Sequence, residues 1–352
     1  MTKFKVVMVK HGYPSVEPER KVVTDAGGEF FDGDQLSDAE EDRLCTEADA
    51  ILVRWRRITP EMIKTYRRCK ILIRYGVGFD NIDVRAATEA GILVGHLPTY
   101  CLDEVSSHTV ALWLACVRRV VETHEKLARG GWDPNPPAPI CRTQGKTFGL
   151  IGLGNIGQSV ARKLAGWQMT LLASDPFVDP KRAQELGVRL VDQGTLLGVS
   201  DYVSLHVPLL PETRHLMNDS QFSQMKSGAI LINTARGPVV DAKALLGALD
   251  AGKVALAALD VFEQEPLPLD SPLRTHPRMI LTDHVAWYSE ESQAELKVTA
   301  AEEAVRVCQG RLPRSIANPE VLHLLGRFKD WTPTEMYQWQ LRRLERLGGV
   351  DR

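Results

Sequence analysis

The residues of this chain that most directly specify a chemistry are Gly152-Leu153-Gly154-Asn155-Ile156-Gly157, a G-x-G-x-x-G run. Such a run cradles a pyrophosphate when it follows a β-strand and opens a helix. Both conditions are met: residues 147–151 are β-rich, and residues 158–164 suit a helix. The need for glycine is steric. Gly152 permits the tight turn, Gly154 lets the backbone approach the phosphates, and Gly157 lets helix and strand pack closely. Asn155 and Ile156, within the run, are expected at the cofactor, and the amides at the helix amino terminus face the phosphate charge. Asp175 stands 21 residues beyond Gly154, at the end of the next β-rich run. A carboxylate there accepts hydrogen bonds from the adenosine ribose hydroxyls and repels the extra phosphate of NADP. Lys181 and Arg182 lie further on, but no arginine directly follows Asp175, so the expected cofactor is NAD.

Three further residues stand at comparable places: Arg236 in Asn233-Thr234-Ala235-Arg236-Gly237, Glu265 in Asp260-Val261-Phe262-Glu263-Gln264-Glu265-Pro266, and His284 in Leu281-Thr282-Asp283-His284. Each follows a β-rich run, and in an open α/β sheet the strand carboxyl ends define the ligand crevice. On residue type alone, an arginine, glutamate or histidine at a strand end more often caps a turn or faces solvent.

The elements that must position these residues are legible as alternations. In the first hundred residues, β-rich runs at 4–9, 50–53 and 71–73 are each followed by helical stretches, such as 60–66 with proline in its first turn. That alternation predicts a parallel α/β sheet. One long helix is expected over 102–129, stopped by the turn-rich residues 130–137. A second series of β-rich runs follows at 147–151, 169–173, 202–207, 229–233, 254–259 and 279–282, six in all, as in a doubly wound nucleotide domain. Residues 290–309 read as a long helix that returns the chain to the first domain. The expected architecture is α/β, with two doubly wound parallel-sheet domains. A Rossmann NAD-binding domain (105–287) is inserted in a discontinuous flavodoxin-like substrate-binding domain (1–104 and 288–352). Thr332-Pro333-Thr334-Glu335 has the form of a capping box and predicts a terminal helix, packed on its own domain or reaching the active site or a partner subunit.

Composition narrows the function classes. A formal net charge of -2 over 352 residues offers no basic stripe for nucleic acid. No apolar run reaches the roughly 18 to 20 residues that span a bilayer, and the amino terminus lacks the features of a signal peptide. The six cysteines are irregularly spaced without a C-x-x-C pair, which suggests neither a metal site nor a disulfide framework. A cytoplasmic protein with reduced thiols is expected.

The glycine fingerprint, Asn-Thr-Ala-Arg-Gly, the Leu-Asp-Val-Phe-x-x-Glu-Pro run, the late strand-histidine and Arg74-Tyr75-Gly76-Val77-Gly78-Phe79-Asp80-Asn81-Ile82-Asp83 together resemble the D-isomer-specific 2-hydroxyacid dehydrogenase family. The similarity runs from about residue 45 to about residue 315. Around His284-Val285-Ala286-Trp287-Tyr288-Ser289-Glu290 it is similar to the branch containing the C-terminal-binding-protein co-repressors. The resemblance implies hydride transfer between NADH and a small 2-oxo acid. His284 is then the general acid or base, and an imidazole ordinarily titrates near pH 6.5, about 0.5 unit from neutrality. Glu265 orients it, and Arg236 holds the substrate carboxylate and polarises the carbonyl with a fork that lysine lacks. Backbone amides at Val77 and Gly78 form an anion nest. Asp260 matches the residue that holds the nicotinamide carboxamide, and His206, Val207, Pro208, Thr213, Thr234 and Thr109 match positions lining the cofactor. One departure is Asp283, where the family usually has proline.

For the substrate, Arg74 and Trp287 match residues near the substrate in the co-repressor branch. Arg54 and Arg56, in Arg54-Trp55-Arg56-Arg57, end another strand of the first domain. They read as a solvated loop or as a site for a second anionic group, such as a phosphonate, phosphate or carboxylate. The resemblance also implies a homodimer, with 102–129 as its contact. The different-class alternative is a NAD(H)-sensing, co-repressor-like dimeric binding protein.

Overall fold

The computed structural model describes residues 3–134 and 140–324. They form two compact units. One comprises the chain to Tyr100 and again from Ser289, and the other comprises Cys101–Tyr288. The first unit runs β1 (Lys5–Met8), α1 (Glu17–Asp25), β2 (Glu29–Asp32), α2 (Asp38–Glu47), β3 (Ala50–Val53), α3 (Pro60–Thr65), β4 (Ile71–Arg74), α4 (Val84–Glu89) and β5 (Leu93–Gly95). The second runs α5 (Leu102–Arg118), α6 (Val120–Ala128), β6 (Thr147–Ile151), α7 (Asn155–Leu164), β7 (Thr170–Ser174), α8 (Pro180–Glu185), β8 (Val188–Leu190), α9 (Gln193–Val199), β9 (Tyr202–Leu205), α10 (Asp219–Gln224), β10 (Ala229–Asn233), α11 (Ala242–Asp250), β11 (Val254–Leu259) and β12 (Met279–Leu281). The chain then re-enters the first unit through α12 (Glu290–Cys308), which packs on α1, β3 and β4.

Both sheets are parallel throughout. The first has strand order β2-β1-β3-β4-β5, the flavodoxin-like order, and the second β12-β11-β10-β9-β6-β7-β8, the Rossmann order with one further strand. Helices cover both faces of such a sheet, so its inner strands are apolar without alternation. All four residues of β3 and all five of β10 are buried accordingly.

Two expectations need correction. The helix over 102–129 is broken at Arg119, whose φ of 51° ends α5 and starts α6. The apolar pattern continues across this point through Val117, Val120 and Val121, with no glycine or proline to mark it. The second sheet has seven strands rather than six, because the short edge strand β8, Val-Arg-Leu, carries a charge in its middle. The expected helix after Thr332 lies outside the described residues. Among the described residues no helix is long and apolar enough to cross a membrane.

Candidate active site

The glycine run joins β6 to α7. Gly152 has φ 94°, and a Cβ there would come within 2.5 Å of the His206 carbonyl oxygen. At Gly157 a Cβ would overlap the Gly152 carbonyl. Gly154 differs: a Cβ would meet nothing within 4 Å, so the space above it is open. No side chain caps α7, whereas Asp192, Asn218 and Asp241 cap α9, α10 and α11 in the same unit. The first amides of α7, from the exposed Asn155 and half-buried Ile156, are thus left for an anion. Asp175, half-buried at the end of β7, accepts the Leu153 amide at 2.6 Å and those of Phe177 and Val178 at 2.8 and 3.0 Å. It therefore ties the glycine loop to the neighbouring strand. An uncapped helix, an open glycine and a fixed carboxylate fit a dinucleotide.

Several other residues expected at the cofactor stand on the loops around this cradle. His206 follows β9, its amide bonded to Ile151 O at 2.7 Å and its Nε2 3.0 Å from Ser204 Oγ. Burial pushes its imidazole down to about 4, so it is neutral near pH 7. Val207 and Pro208 continue this loop, which Thr213 closes by donating to Pro208 O at 2.6 Å and accepting the Leu210 amide at 2.8 Å. Thr234 lies at the end of β10. Thr109 is fully buried on α5, its hydroxyl 2.8 Å from that of Thr234 and from Val105 O, so it supports Thr234 rather than lining a cavity.

Arg236, Glu265 and His284 occupy the loops after the adjacent strands β10, β11 and β12. His284 Nδ1 lies 2.6 Å from Glu265 Oε2, and Glu265 Oε1 accepts the Phe262 amide at 2.9 Å. Burial alone would raise the Glu265 carboxyl. The His284 hydrogen bond and charge, the Phe262 amide and the Arg236 charge together hold it below its ordinary value of 4.5. The Arg236 turn is shaped by buried Asn233, which donates to Arg236 O at 2.9 Å and accepts the Ala235 amide at 3.0 Å. Asp260 is 1% exposed, and its two oxygens accept the Thr282 hydroxyl and the Val285 and Ala286 amides. Its carboxylate thus fixes the loop of His284, a task the family pattern did not suggest. Asp283 is exposed, with no side-chain bond among the described residues. Trp287 stands edge-on to Tyr288, ring centroids 5.6 Å apart.

In the first unit, the carboxyl ends of the strands gather a second group. The Arg54 guanidinium lies over the Tyr13 ring at 3.7 Å and near Trp55 at 5.0 Å, and donates to His11 O at 2.6 Å. Arg74, closing β4, lies 6.0 Å from the Trp55 ring. His96 Nδ1 bonds Val77 O at 2.8 Å and so fixes the Val77-Gly78 turn. Arg56 does not join this group: it pairs with the fully buried Glu41 and with Asp42, and acts as a structural ion pair. Tyr13 and His96 belong to this group although no motif marks them. Their signal was their place just beyond β1 and β5, edges of the crevice that the strand order defines.

Residues 110–286 match the NAD binding domain of the D-isomer specific 2-hydroxyacid dehydrogenases. The chain is 41% identical to a glyoxylate reductase of Thermofilum pendens over 76% of its own length and 80% of that protein. It is also 41% identical to a D-3-phosphoglycerate dehydrogenase of Archaeoglobus fulgidus over 77% of its length, but spans only 51% of that protein. The structure superposes on D-lactate dehydrogenase from Aquifex aeolicus, solved with NAD and lactic acid, with a TM-score of 0.79 and 28% identity, covering 93% of this chain and 99% of that one.

Proposed function

The chain belongs to the D-isomer specific 2-hydroxyacid dehydrogenase family, and from that premise we propose that it interconverts a small 2-oxo acid and its D-2-hydroxy acid with NAD as cofactor. The observation that carries the reading is the 2.6 Å Glu265–His284 pair, on loops adjoining Arg236, in the unit that also holds the uncapped α7. The bound reduced dinucleotide supplies the hydride. His284, oriented through Nδ1, gives the proton from Nε2 to the carbonyl oxygen and takes it back in oxidation. Glu265 stays ionised and stabilises the imidazolium. Arg236 binds the substrate carboxylate and polarises the carbonyl. Asp175 sets the preference for NAD over NADP.

The substrate carries a second anionic group, held by Arg54. This guanidinium is half-buried, stacked on Tyr13, and has no carboxylate within ion-pairing distance among the described residues. Charge-assisted hydrogen bonds contribute about 1.5 to 3 kcal/mol each, so Arg54→Ala should lower kcat/KM for oxaloacetate and phosphonopyruvate roughly 10- to 100-fold. The value for pyruvate should change little. Arg56→Ala should instead destabilise the fold by roughly 1 to 3 kcal/mol through an unpaired Glu41, with selectivity retained. Steady-state kinetics on the five 2-oxo acids oxaloacetate, phosphonopyruvate, phosphohydroxypyruvate, pyruvate and glyoxylate test this. An unchanged ranking in Arg54→Ala defeats the second-anion reading.

A homodimer is part of the same proposal. The helix α6 buries none of its residues, and Val120, Val121 and Leu127 are exposed on it, an apolar face suited to a second copy. A cytoplasmic location accords with six free cysteines.

A further inference from the structure

We propose that Thr282 and His108 are positioning residues for His284, acting through the buried carboxylate of Asp260. The proposal rests on the reading of His284 as proton donor. Asp260 Oδ1 accepts the Thr282 hydroxyl at 2.5 Å and the Val285 amide at 3.0 Å, and Oδ2 accepts the Ala286 amide at 3.0 Å. The Asp260 carbonyl accepts the His284 amide at 2.8 Å. All four bonds fall on residues 282–286, the segment that carries the imidazole. With its own proton committed to Asp260, the Thr282 oxygen is an acceptor for Nε2 of His108 on α5, 3.0 Å away. That direction places the His108 proton on Nε2. His108 Nε2 is itself 3.7 Å from Asp260 Oδ1, so the histidine, the threonine and the carboxylate form one compact relay.

The segment needs such restraint. His284 has φ 59°, a left-handed conformation that residues with a Cβ rarely adopt. Relaxation of this residue to ordinary backbone would swing the imidazole away from Glu265. Asp283 makes no side-chain bond among the described residues and, unlike proline, does not lock its own φ. The restraint is therefore supplied from Asp260, and Thr282 and His108 fix the orientation of that carboxylate.

The test compares Thr282→Val, Thr282→Ser, His108→Leu and the Thr282→Val/His108→Leu pair with wild type and His284→Ala. The readouts are kcat, KM, NADH affinity by fluorescence quenching, and Tm. Misplacing a reacting group by about 1 Å costs up to roughly 100-fold, so Thr282→Val should lower kcat about 10- to 100-fold. NADH affinity should stay within about twofold, since the cradle around α7 is untouched. Thr282→Ser, which keeps the hydroxyl, should restore wild-type kcat. His108→Leu should lower kcat less, and the double variant should be no worse than Thr282→Val alone, because His108 acts through Thr282. Wild-type kcat in Thr282→Val, with His284→Ala inactive, overturns the relay alone. Equal losses of kcat, NADH affinity and Tm without rescue by serine also overturn it, as a merely structural role. Retained turnover in His284→Ala overturns the proton-donor reading and the relay with it.

Discussion

Replacing His284 by alanine should lower kcat by about 10² to 10⁴, the usual worth of a positioned general acid or base, and leave NADH affinity essentially unchanged. The imidazole is held through Nδ1 by Glu265 at 2.6 Å, so in the proposed reaction Nε2 is the nitrogen left to carry the exchanged proton. The glycine loop and the start of α7, the proposed dinucleotide cradle, lie on other elements and are tied by Asp175. Because His284 is left-handed, alanine also loosens its segment. His284→Asn separates the two effects, since asparagine tolerates that conformation but cannot donate a proton in the same way. Both variants should be comparably inactive in stopped-flow reduction of a good 2-oxo acid. Turnover near wild type in either refutes the role of His284.

Gly237→Ala should be nearly as damaging to turnover, for a different reason. A Cβ at Gly237 would overlap the carbonyl carbon and oxygen of Phe262 and come within 2.5 Å of the Glu263 nitrogen. These are backbone atoms with little room to move. The Phe262 amide is bonded to Glu265 at 2.9 Å, and the Asp260 amide to Asn233 O at 3.0 Å. Accommodation must separate the turn of Arg236 from the loop of Glu265. Overpacking of this kind costs about 1 to 3 kcal/mol, occasionally more, and the displaced arginine should lower kcat/KM about 100-fold. Gly154→Ala is the instructive control. Its Cβ meets nothing in the protein, so Tm should be unchanged while NADH affinity falls, because the methyl group enters the space a pyrophosphate needs. Calorimetry and NADH titration of the two variants distinguish these outcomes. Wild-type Tm and kcat/KM in Gly237→Ala would show that the close approach of the two loops is not required.

What the sequence revealed follows from where residues lie in a parallel sheet. Inner strands such as β3 and β10 are buried on both faces and read as unbroken apolar runs. The edge strands β2 (Glu-Phe-Phe-Asp) and β8 (Val-Arg-Leu) need no such continuity, carry charge, and escaped notice. The break at Arg119 left no mark because an arginine, rather than a glycine, takes the left-handed position. The motifs located the loops after β10, β11 and β12, but not the bonds within them. Asp260 was expected to face the nicotinamide, yet its burial and its three side-chain acceptances point it at the His284 loop. Arg54 and Arg56 looked alike in sequence. The position of Glu41, fully buried on α2, separates a structural ion pair from a cation with no carboxylate within ion-pairing distance among the described residues. Such pairings join residues distant in the chain, and no local pattern encodes them.

The central claim is hydride transfer to a 2-oxo acid, and its most direct measurement is NADH oxidation at fixed protein concentration across a panel of 2-oxo acids, with the chirality of the product determined. Hydride transfer of this kind predicts loss of NADH absorbance with at least one of these acids, formation of the D-2-hydroxy acid, and weaker activity with NADPH. Tight NADH binding with turnover of none of them would contradict it and identify a dinucleotide-responsive binding protein, and an L-product would contradict it equally.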